Sequence, residues 1–210
     1  MSSVGKFITF EGGEGAGKST QVKLLAARLE AHGQRTLSLR EPGDTALGEQ
    51  LRDVLKSRLT RGLEPEAEAL LFAACRAQLV GEVIQPELHA GLFVLCDRFI
   101  DSTVAYQSGG RGLDRALIES INRLACGSLR PDLTVLLDLD PSHGLGRASI
   151  RDHGKHDRFE ALGEGFHLKV RAVYHELAAA EPGRFLVLDA TRDPQTLSEE
   201  IWNEVHRRFL

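Results

Sequence analysis

The sequence predicts an α/β fold with a doubly wound, five-stranded parallel sheet flanked by helices. Short apolar runs alternate with amphipathic stretches along the 210 residues, and such runs are typical of strands buried on both faces of a parallel sheet. A glycine-rich loop joins the first apolar run to the first amphipathic stretch. No repeat, low-complexity tract or linker divides the chain, so we expect a single domain over residues 1–210.

The predicted strands are bounded by glycine, proline or charged residues and cover residues 7–11, 36–40, 92–96, 133–137 and 185–188. Amphipathic spacing predicts helices over residues 20–31, 47–56, 64–90, 113–126, 163–181 and 194–209. The segment 64–90 is long for one helix, so we expect it to be a central element. Doubly wound sheets bind ligands at the carboxyl ends of their strands, and we expect the site there.

Residues 12–19 read Gly-Gly-Glu-Gly-Ala-Gly-Lys-Ser and match the phosphate-binding pattern G-x-x-x-x-G-K-[ST]. Glycines let successive backbone N–H groups point at phosphate oxygens, and the following helix adds partial positive charge. The pattern predicts a P-loop NTPase-type fold, with Lys18 on the β- and γ-phosphates and Ser19 on Mg²⁺. The predicted ATP-binding residues are Gly12, Gly13, Glu14, Gly15, Ala16, Gly17, Lys18, Ser19 and Thr20.

Bulk composition limits the other classes of function. The net charge is -4, so nothing indicates a general nucleic-acid surface. The three cysteines are widely spaced and predict buried thiols rather than a disulfide framework or a metal cluster. The N-terminus lacks the apolar region of a signal peptide, and no window approaches a membrane span. We expect a soluble, cytoplasmic protein.

One stretch departs from the apolar rhythm of the chain. Residues 144–158 are polar, rich in cations and contain three glycines. Composition alone is equally compatible with a solvated loop. Next to a P-loop, the same stretch predicts a mobile lid that lays Arg147, Arg151, Lys155 or Arg158 over the triphosphate.

Acidic residues follow two predicted strands directly. Asp97 and Asp138 each come after an apolar run, where a carboxylate can ligate Mg²⁺ or hold its water. Asp97 is the favoured metal residue because Arg98 follows it and places a cation at the same strand tip. Asp140 is better explained as the N-cap of a helix.

Two groups of residues could bind an acceptor. On a helix starting near Asp101, Thr103, Tyr106 and Gln107 share a face and could read the edge of a base. Phe72 and Arg76 are four apart on the long helix, where the ring could stack on a base and the guanidinium could bond its carbonyl. The alternative for the second pair is a core phenylalanine beside a surface arginine.

Taken together, these motifs resemble the thymidylate kinase family, in its bacterial form with arginines in the lid. The resemblance covers nearly the whole chain and rests on residues 10–20, 40–43, 72–78, 97–107, 130–134, 157–160 and 187–190. It implies transfer of a phosphoryl group from Mg-ATP to dTMP, which gives dTDP for the synthesis of DNA precursors. It also implies a homodimer.

The resemblance implies roles for individual residues. Phe72 would stack on thymine, Arg76 would bond its O4 atom, and Thr103, Tyr106 and Gln107 would line the base and sugar. Arg98 would hold the dTMP phosphate, and Glu14 would meet the 3′-hydroxyl. The implied catalytic residues are Lys18, Arg98, Arg147 and Arg151, and the implied metal site is Ser19 with Asp97.

Two departures from the family pattern leave alternatives open. Asp44 stands where the family has a second glycine, and it would add negative charge near the acceptor site. Ser149 stands between Arg147 and Arg151, where the family's lid carries a further arginine. A nucleotide-binding paralogue with lost or altered activity is one alternative, and another small nucleotide kinase is a second. A GTP-hydrolysing switch lacks its Asn-Lys-x-Asp and Asp-x-x-Gly motifs here.

Overall fold

Five parallel strands form one sheet, as predicted, in the order β2-β3-β1-β4-β5. The computed structural model describes residues 5–57, 60, 62–151 and 158–210, and for Arg151 only the backbone. The strands are β1 Lys6–Glu11, β2 Thr36–Arg40, β3 Phe93–Asp97, β4 Leu133–Asp138 and β5 Phe185–Asp189. Each predicted strand lies within one residue of its observed bounds, because continuous apolar runs fix buried strands well.

The helices lie on both faces of this sheet. In chain order they are α1 Lys18–Ala31, α2 Ala46–Lys56, α3 Pro65–Leu79, α4 Gln85–His89, α5 Ile100–Thr103, α6 Arg115–Cys126, α7 Pro141–Arg151, α8 Glu164–Ala180 and α9 Pro194–Phe209. The predicted helix 64–90 is helical throughout, but a π-helical segment, Val80–Ile84, separates α3 from α4. A second π-helical segment, Val104–Gly110, follows α5 and carries part of the site.

Apolar side chains bury both faces of the sheet. On one face, Ile8 and Phe10 of β1 pack with Leu25 of α1 and Ile201 of α9. Helices α3 and α8 cover the opposite face. Tyr174 of α8 lies there in a cluster that also contains residues of the second π-helical segment, Val104–Gly110. Burial of one such side chain stabilises the fold by about 1.5–3 kcal/mol. The central strand β1 is therefore firmly packed up to its carboxyl end.

The alternative of a solvated loop over residues 144–158 is wrong for its first part. The chain is helical in α7 through Arg151, and residues 152–157 lie outside the described residues. Glycines lowered the expected helicity because glycine costs about 1 kcal/mol in a helix interior. The structure supplies the reason for one of them, since a Cβ atom at Gly144 would overlap the carbonyl oxygen of Glu14.

Asp140 has the predicted role at the start of α7. Its Oδ1 atom accepts hydrogen bonds from the backbone N–H of Ser142, at 3.0 Å, and from the Ser142 hydroxyl, at 2.6 Å. Across the described residues, no helix has the length and apolar character that crossing a membrane requires.

Candidate active site

The P-loop wraps tightly between β1 and α1. Gly12 and Gly15 have positive φ angles of 135° and 66°, and a Cβ atom at either would overlap a backbone oxygen of β4 or α7. Glycine is therefore required at both positions. The Lys18 ammonium donates hydrogen bonds to the carbonyl oxygens of Gly12, at 3.1 Å, and Gly13, at 2.7 Å. The lysine is thus held against the loop that the sequence predicts to bind phosphate.

The pKa of Lys18 is lower than usual in this structure. Burial and the nearby Arg98 guanidinium lower the pKa of Lys18, and the carboxylates of Asp97, Glu14 and Glu11 oppose that shift. The resulting pKa is about 8, against an ordinary value of 10.5. An anionic ligand in the loop would favour the protonated form.

Ser19 and Asp97 lie together, as the sequence predicts for a metal site. The Ser19 hydroxyl donates a hydrogen bond of 2.5 Å to Oδ2 of Asp97. Asp138, the other candidate, is instead bound by Arg171 at 2.7 and 2.9 Å and lies 3.1 Å from His175. Within the described part of the chain, no three metal-ligating side chains form a cluster, which is compatible with Mg²⁺ held by few protein oxygens and by phosphates.

A cavity of about 700 Å³ extends from the P-loop across the carboxyl ends of β1, β2 and β3. Of the predicted site residues, it is lined by Glu14, Gly15, Ala16, Gly17, Lys18, Ser19, Thr20, Phe72, Arg76, Asp97, Arg98, Thr103, Tyr106, Gln107 and Arg147. Gly12 and Gly13 border a smaller pocket behind the loop. The structure therefore brings the predicted triphosphate and acceptor residues into one space.

Arg98 joins the two ends of this cavity. Its φ angle is 74°, and its Nη2 atom donates to Glu14 Oε1 at 2.7 Å and to the Tyr106 hydroxyl at 3.1 Å. Its Nη1 atom donates to the carbonyl oxygen of Gly12 and to the Ser102 hydroxyl, both at 3.2 Å. The guanidinium is therefore held in place before any ligand binds.

Glu14 remains ionised in this setting. Burial alone would raise the pKa of Glu14, but Arg98 and Lys18 outweigh it and lower the pKa to about 2. The Tyr106 hydroxyl also donates a hydrogen bond of 2.9 Å to the same carboxylate. The predicted sugar and phosphate contacts thus share one charged cluster.

A buried hydrogen-bond network around Glu11 lies next to Arg98. The carboxylate of Glu11 accepts hydrogen bonds from the Ser102 hydroxyl at 2.5 Å, the Tyr174 hydroxyl at 2.9 Å and the backbone N–H of Phe99 at 2.8 Å. Burial, with a smaller contribution from Asp101, raises the pKa of Glu11 to about 7. The segment that follows Arg98 is therefore tied to the end of β1.

The end of the cavity that is predicted to hold the base combines an aromatic ring with a constrained arginine. Phe72 lines the cavity, and Arg76 is only 1% exposed. The guanidinium of Arg76 is 2.6 Å from Glu41 and also donates to Asn122 at 2.9 Å and to the carbonyl oxygen of Phe99 at 3.1 Å. The alternative of a snorkelling surface arginine is wrong, because the side chain is buried and paired.

Thr103 has an unused hydroxyl at the same end. Its Oγ1 atom is buried and finds no hydrogen-bond partner within the part of the chain that the structure describes. A buried hydroxyl without a partner costs about 1–3 kcal/mol. Because Thr103 lines the cavity, a ligand in the base site could supply the missing partner.

The structure places the cations expected from the lid in different surroundings. Arg147 lines the cavity and donates to the carbonyl oxygen of Ala190 at 3.0 Å. Arg158, expected over the triphosphate, is instead 2.8 Å from Glu68 and donates to the carbonyl oxygen of Leu55 at 2.9 Å. The Arg151 side chain and Lys155 lie outside the described residues.

The sequence places a negative charge near the acceptor site at Asp44, but the Asp44 carboxylate does not face the cavity. Its Oδ2 atom accepts a hydrogen bond of 2.6 Å from the backbone N–H of Arg40, and the Arg40 side chain lies 3.6 Å from Oδ1. Asp44 has a φ angle of 57°, a conformation that glycine adopts easily. The carboxylate therefore closes its own turn.

Sequence reasoning missed several residues around the cavity. Arg52 and Lys56 of α2 line it, and their spacing of four on an amphipathic helix was the available signal. Glu160 also lines it, and it belongs to the motif 157–160 that carries the resemblance, although no role was expected for it. Glu41 lies in the quoted motif 40–43, but its contact with Arg76, like that of Tyr174 with Glu11, joins residues distant in sequence and is not predicted by a local pattern.

The fold and the cavity define a P-loop α/β protein in which one cavity continues from the loop to the residues predicted to hold an acceptor. A sequence profile described as thymidylate kinase matches residues 10–201. The thymidylate kinase of Solidesulfovibrio magneticus is 52% identical over 204 residues, which cover 95% of this chain and 98% of the relative. That of Deinococcus radiodurans is 52% identical over 206 residues, covering 98% of each.

A solved structure agrees with these matches. The crystal structure of thymidylate kinase from Ehrlichia chaffeensis superposes with a TM-score of 0.78 at 33% identity, covering 97% of this chain and 99% of the other. The chain belongs to the thymidylate kinase family. It is thereby a nucleoside monophosphate kinase, a transferase of phosphoryl groups.

Proposed function

We propose that this chain transfers the γ-phosphoryl group of Mg-ATP to the phosphate of dTMP, releasing dTDP and ADP. The observation that carries the proposal is the continuous cavity in which Arg98 stands between the P-loop and the base pocket. Direct transfer requires both phosphates in one water-poor space, with cations between them. The arrangement of Lys18, Arg98 and Arg147 around this space meets that requirement.

At the donor end, the P-loop backbone and Lys18 would hold the β- and γ-phosphates. Ser19 and Asp97 would hold Mg²⁺, because a hydroxyl and a carboxylate 2.5 Å apart are hard oxygen ligands aimed at one place. When bound, the metal neutralises charge on the β- and γ-phosphate oxygens. Lys18 adds a second positive charge on the protein side.

At the acceptor end, Arg98 would hold the dTMP phosphate in line with the γ-phosphorus. Glu14 would accept a hydrogen bond from the 3′-hydroxyl, since its carboxylate faces the same cluster. Phe72 would stack on the base, and an N–H of Arg76 that is not used by Glu41, Asn122 or Phe99 would reach O4. Thr103 would give its buried hydroxyl a partner on the base.

The chemical step needs little covalent help from the protein. An oxygen of the dTMP phosphate attacks the γ-phosphorus while the bond from that phosphorus to the β–γ bridging oxygen breaks, and ADP leaves with that oxygen. The attacking oxygen is already anionic, so no general base is required. Lys18, Arg98 and the lid arginines Arg147 and Arg151 would neutralise the charge on the transferring group.

The mobile lid, the single domain over residues 1–210, the homodimer and the cytoplasmic location stay part of this proposal. For the dimer, the support is a set of exposed leucines on two helices that pack together, Leu70 of α3 with Leu117 and Leu124 of α6. Sedimentation of the purified chain, compared with the Leu124→Asp variant, tests this part.

The proposed activity is tested by following ADP release with Mg-ATP and dTMP in two variants. Lys18→Ala should abolish turnover, and Arg98→Ala should lower kcat by about 10³-fold or more, as for other arginines at transferring phosphoryl groups. Arg115→Ala is the matched control, because Arg115 lies on α6 and pairs with Glu119 away from the cavity. Equal turnover in Arg98→Ala and Arg115→Ala would overturn the assignment.

A further inference from the structure

Glu68 is a fully buried acid that the proposed mechanism does not use. It lies on α3 one turn before Phe72, and its exposure is 0%. Its carboxylate accepts hydrogen bonds from Gln107 Nε2 at 2.8 Å and from Arg111 Nε and Nη2 at 3.0 and 2.8 Å. Arg158 Nη2 lies 2.8 Å from the same carboxylate. One acid thus gathers an amide and two guanidinium groups.

The two arginines keep Glu68 an acceptor. Its Oε1 atom accepts from Gln107 and Arg111, and its Oε2 atom accepts from Arg111 and lies against Arg158, so each of these partners is an N–H donor that needs an acceptor. Both guanidinium groups also lie over the ring of Phe159, at 5.8 Å for Arg111 and 4.7 Å for Arg158. The Glu68 carboxylate is therefore held in one position, with N–H groups against both of its oxygens.

This acceptor determines the orientation of the Gln107 amide. Only the NH₂ end of an amide can face a carboxylate, so Gln107 has its carbonyl oxygen left to offer. Gln107 is 1% exposed, and it lines the base end of the cavity four residues after Thr103. A base edge at this end would encounter an amide oxygen and a hydroxyl that has no partner among the residues the structure describes.

We propose that Glu68 is a positioning residue for base selection, and the inference rests on the proposed function. By fixing the Gln107 carbonyl oxygen toward the cavity, Glu68 favours a pyrimidine whose ring nitrogen carries a hydrogen, as N3 of thymine and uracil does. Cytosine presents a lone pair at N3, which an amide oxygen repels. A site that hydrogen-bonds one group rejects the analogue that lacks it, because its own polar groups then stay unpaired.

The test compares kcat/KM for dTMP and for dCMP in wild type, Glu68→Gln, Arg111→Gln and Gln107→Leu. A glutamine at position 68 can donate as well as accept, so Gln107 is free to turn its NH₂ group to the cavity. We expect Glu68→Gln and Gln107→Leu to lower the dTMP-to-dCMP ratio by about tenfold or more. Arg111→Gln removes an ion pair but leaves Glu68 an acceptor, so its ratio should stay near that of wild type.

The result that overturns the inference is an unchanged ratio in Gln107→Leu, or equal ratios in Glu68→Gln and Arg111→Gln, because loss of the ion pair would then account for both. Glu68→Asp keeps an acceptor and should retain the ratio. Should Glu68→Gln fail to fold, Gln107→Leu still decides. Failure of the proposed function is a different result, since wild type would then turn over neither dTMP nor dCMP.

Discussion

Arg98 combines an unfavourable backbone conformation with several hydrogen bonds of its side chain. Its φ angle of 74° places it in the left-handed region, which costs a residue with a Cβ atom about 1–3 kcal/mol. The surrounding structure maintains this conformation through contacts with Glu14, Gly12, Ser102 and Tyr106. In the proposed mechanism, this strained conformation places a cation where the phosphoryl group is transferred.

Replacing Arg98 by lysine tests whether the fork of the guanidinium matters beyond its charge. An ammonium group is a point charge and cannot reach Glu14, Tyr106 and a phosphate at once. We expect Arg98→Lys to lower kcat by about 10²-fold or more while the Kd for ATP stays within about twofold. Steady-state kinetics and calorimetry measure the two quantities. A wild-type kcat in this variant would show that charge alone suffices.

Lys18 predicts a pH dependence of nucleotide binding. Its pKa is about 8 in the free protein, and an anionic ligand raises it, so binding above pH 8 requires uptake of a proton. Affinity for ATP should therefore be full below this pKa and should fall as the pH rises from 8 to 10. Calorimetry at pH 7 and 9.5 in two buffers of different ionisation enthalpy measures both the Kd and the proton uptake.

Lys18→Met provides the control for that titration. A methionine binds no proton, so the variant should bind ATP weakly at both pH values without the additional loss at high pH. An equal loss of affinity in wild type and Lys18→Met would assign the pH dependence to another group.

At the scale of elements, α7 is registered against the P-loop by two glycines. A Cβ atom at Gly144 would overlap the carbonyl oxygen of Glu14, and one at Gly15 would overlap that of Gly144. This close approach sets where α7 begins, and hence where Arg147 enters the cavity. The P-loop and α7 therefore touch closely at Gly144, and any motion of the proposed lid would have to occur beyond this contact.

Gly144→Ala should displace α7 and move Arg147. We expect kcat to fall by about tenfold or more, because a misplacement near 1 Å can cost up to about 10²-fold in rate. Gly146→Ala is the matched control, since nothing lies within 4 Å of a Cβ atom there. It should leave kcat unchanged and stabilise α7 by about 0.5–1 kcal/mol. Thermal unfolding compares the stabilities of the two variants, and ADP-release kinetics compare their kcat values. Equal kcat values would contradict the account.

The turn after β2 depends on the Asp44 side chain. Its carboxylate bonds the backbone N–H of Arg40 at 2.6 Å and compensates for the φ angle of 57°. Asp44→Ala keeps the unfavourable angle and removes the bond, so the free energy of unfolding should fall by about 1–2 kcal/mol. Asp44→Asn retains an acceptor and tolerates the angle, and should lose clearly less. Urea unfolding measures both variants, and the reverse order would be inconsistent with this turn.

The elements differ in how far the sequence predicts them. Apolar runs predict the five strands, and the order of the helices follows from alternation. The π-helical segments at Val80–Ile84 and Val104–Gly110 have no local signal, because their apolar pattern is compatible with a plain α-helix. The helix through Arg151 was hidden by its glycines, and only Gly144 among the described ones is explained by a contact, with Glu14, 130 residues away in sequence.

For the whole molecule, topology assembles the site from strand ends. Because β3 pairs with β1 on one side and β2 on the other, Asp97, Phe10 and Arg40 lie in register. The sequence could therefore predict that the P-loop, Asp97 and Arg98 meet. It could not predict the partner of Arg76 or the anchoring of Arg158, since both depend on side-chain contacts between distant segments.

The measurement that tests the central claim most directly is turnover of a panel of acceptors. Purified chain with Mg-ATP is offered dTMP, dUMP, dCMP, dGMP and AMP, and both ADP and the diphosphate product are quantified. The account predicts that dTMP has the highest kcat/KM and that dTDP appears in equal amount to ADP. Intact ATP binding with no turnover of any acceptor, or preferred turnover of a purine monophosphate, would contradict it.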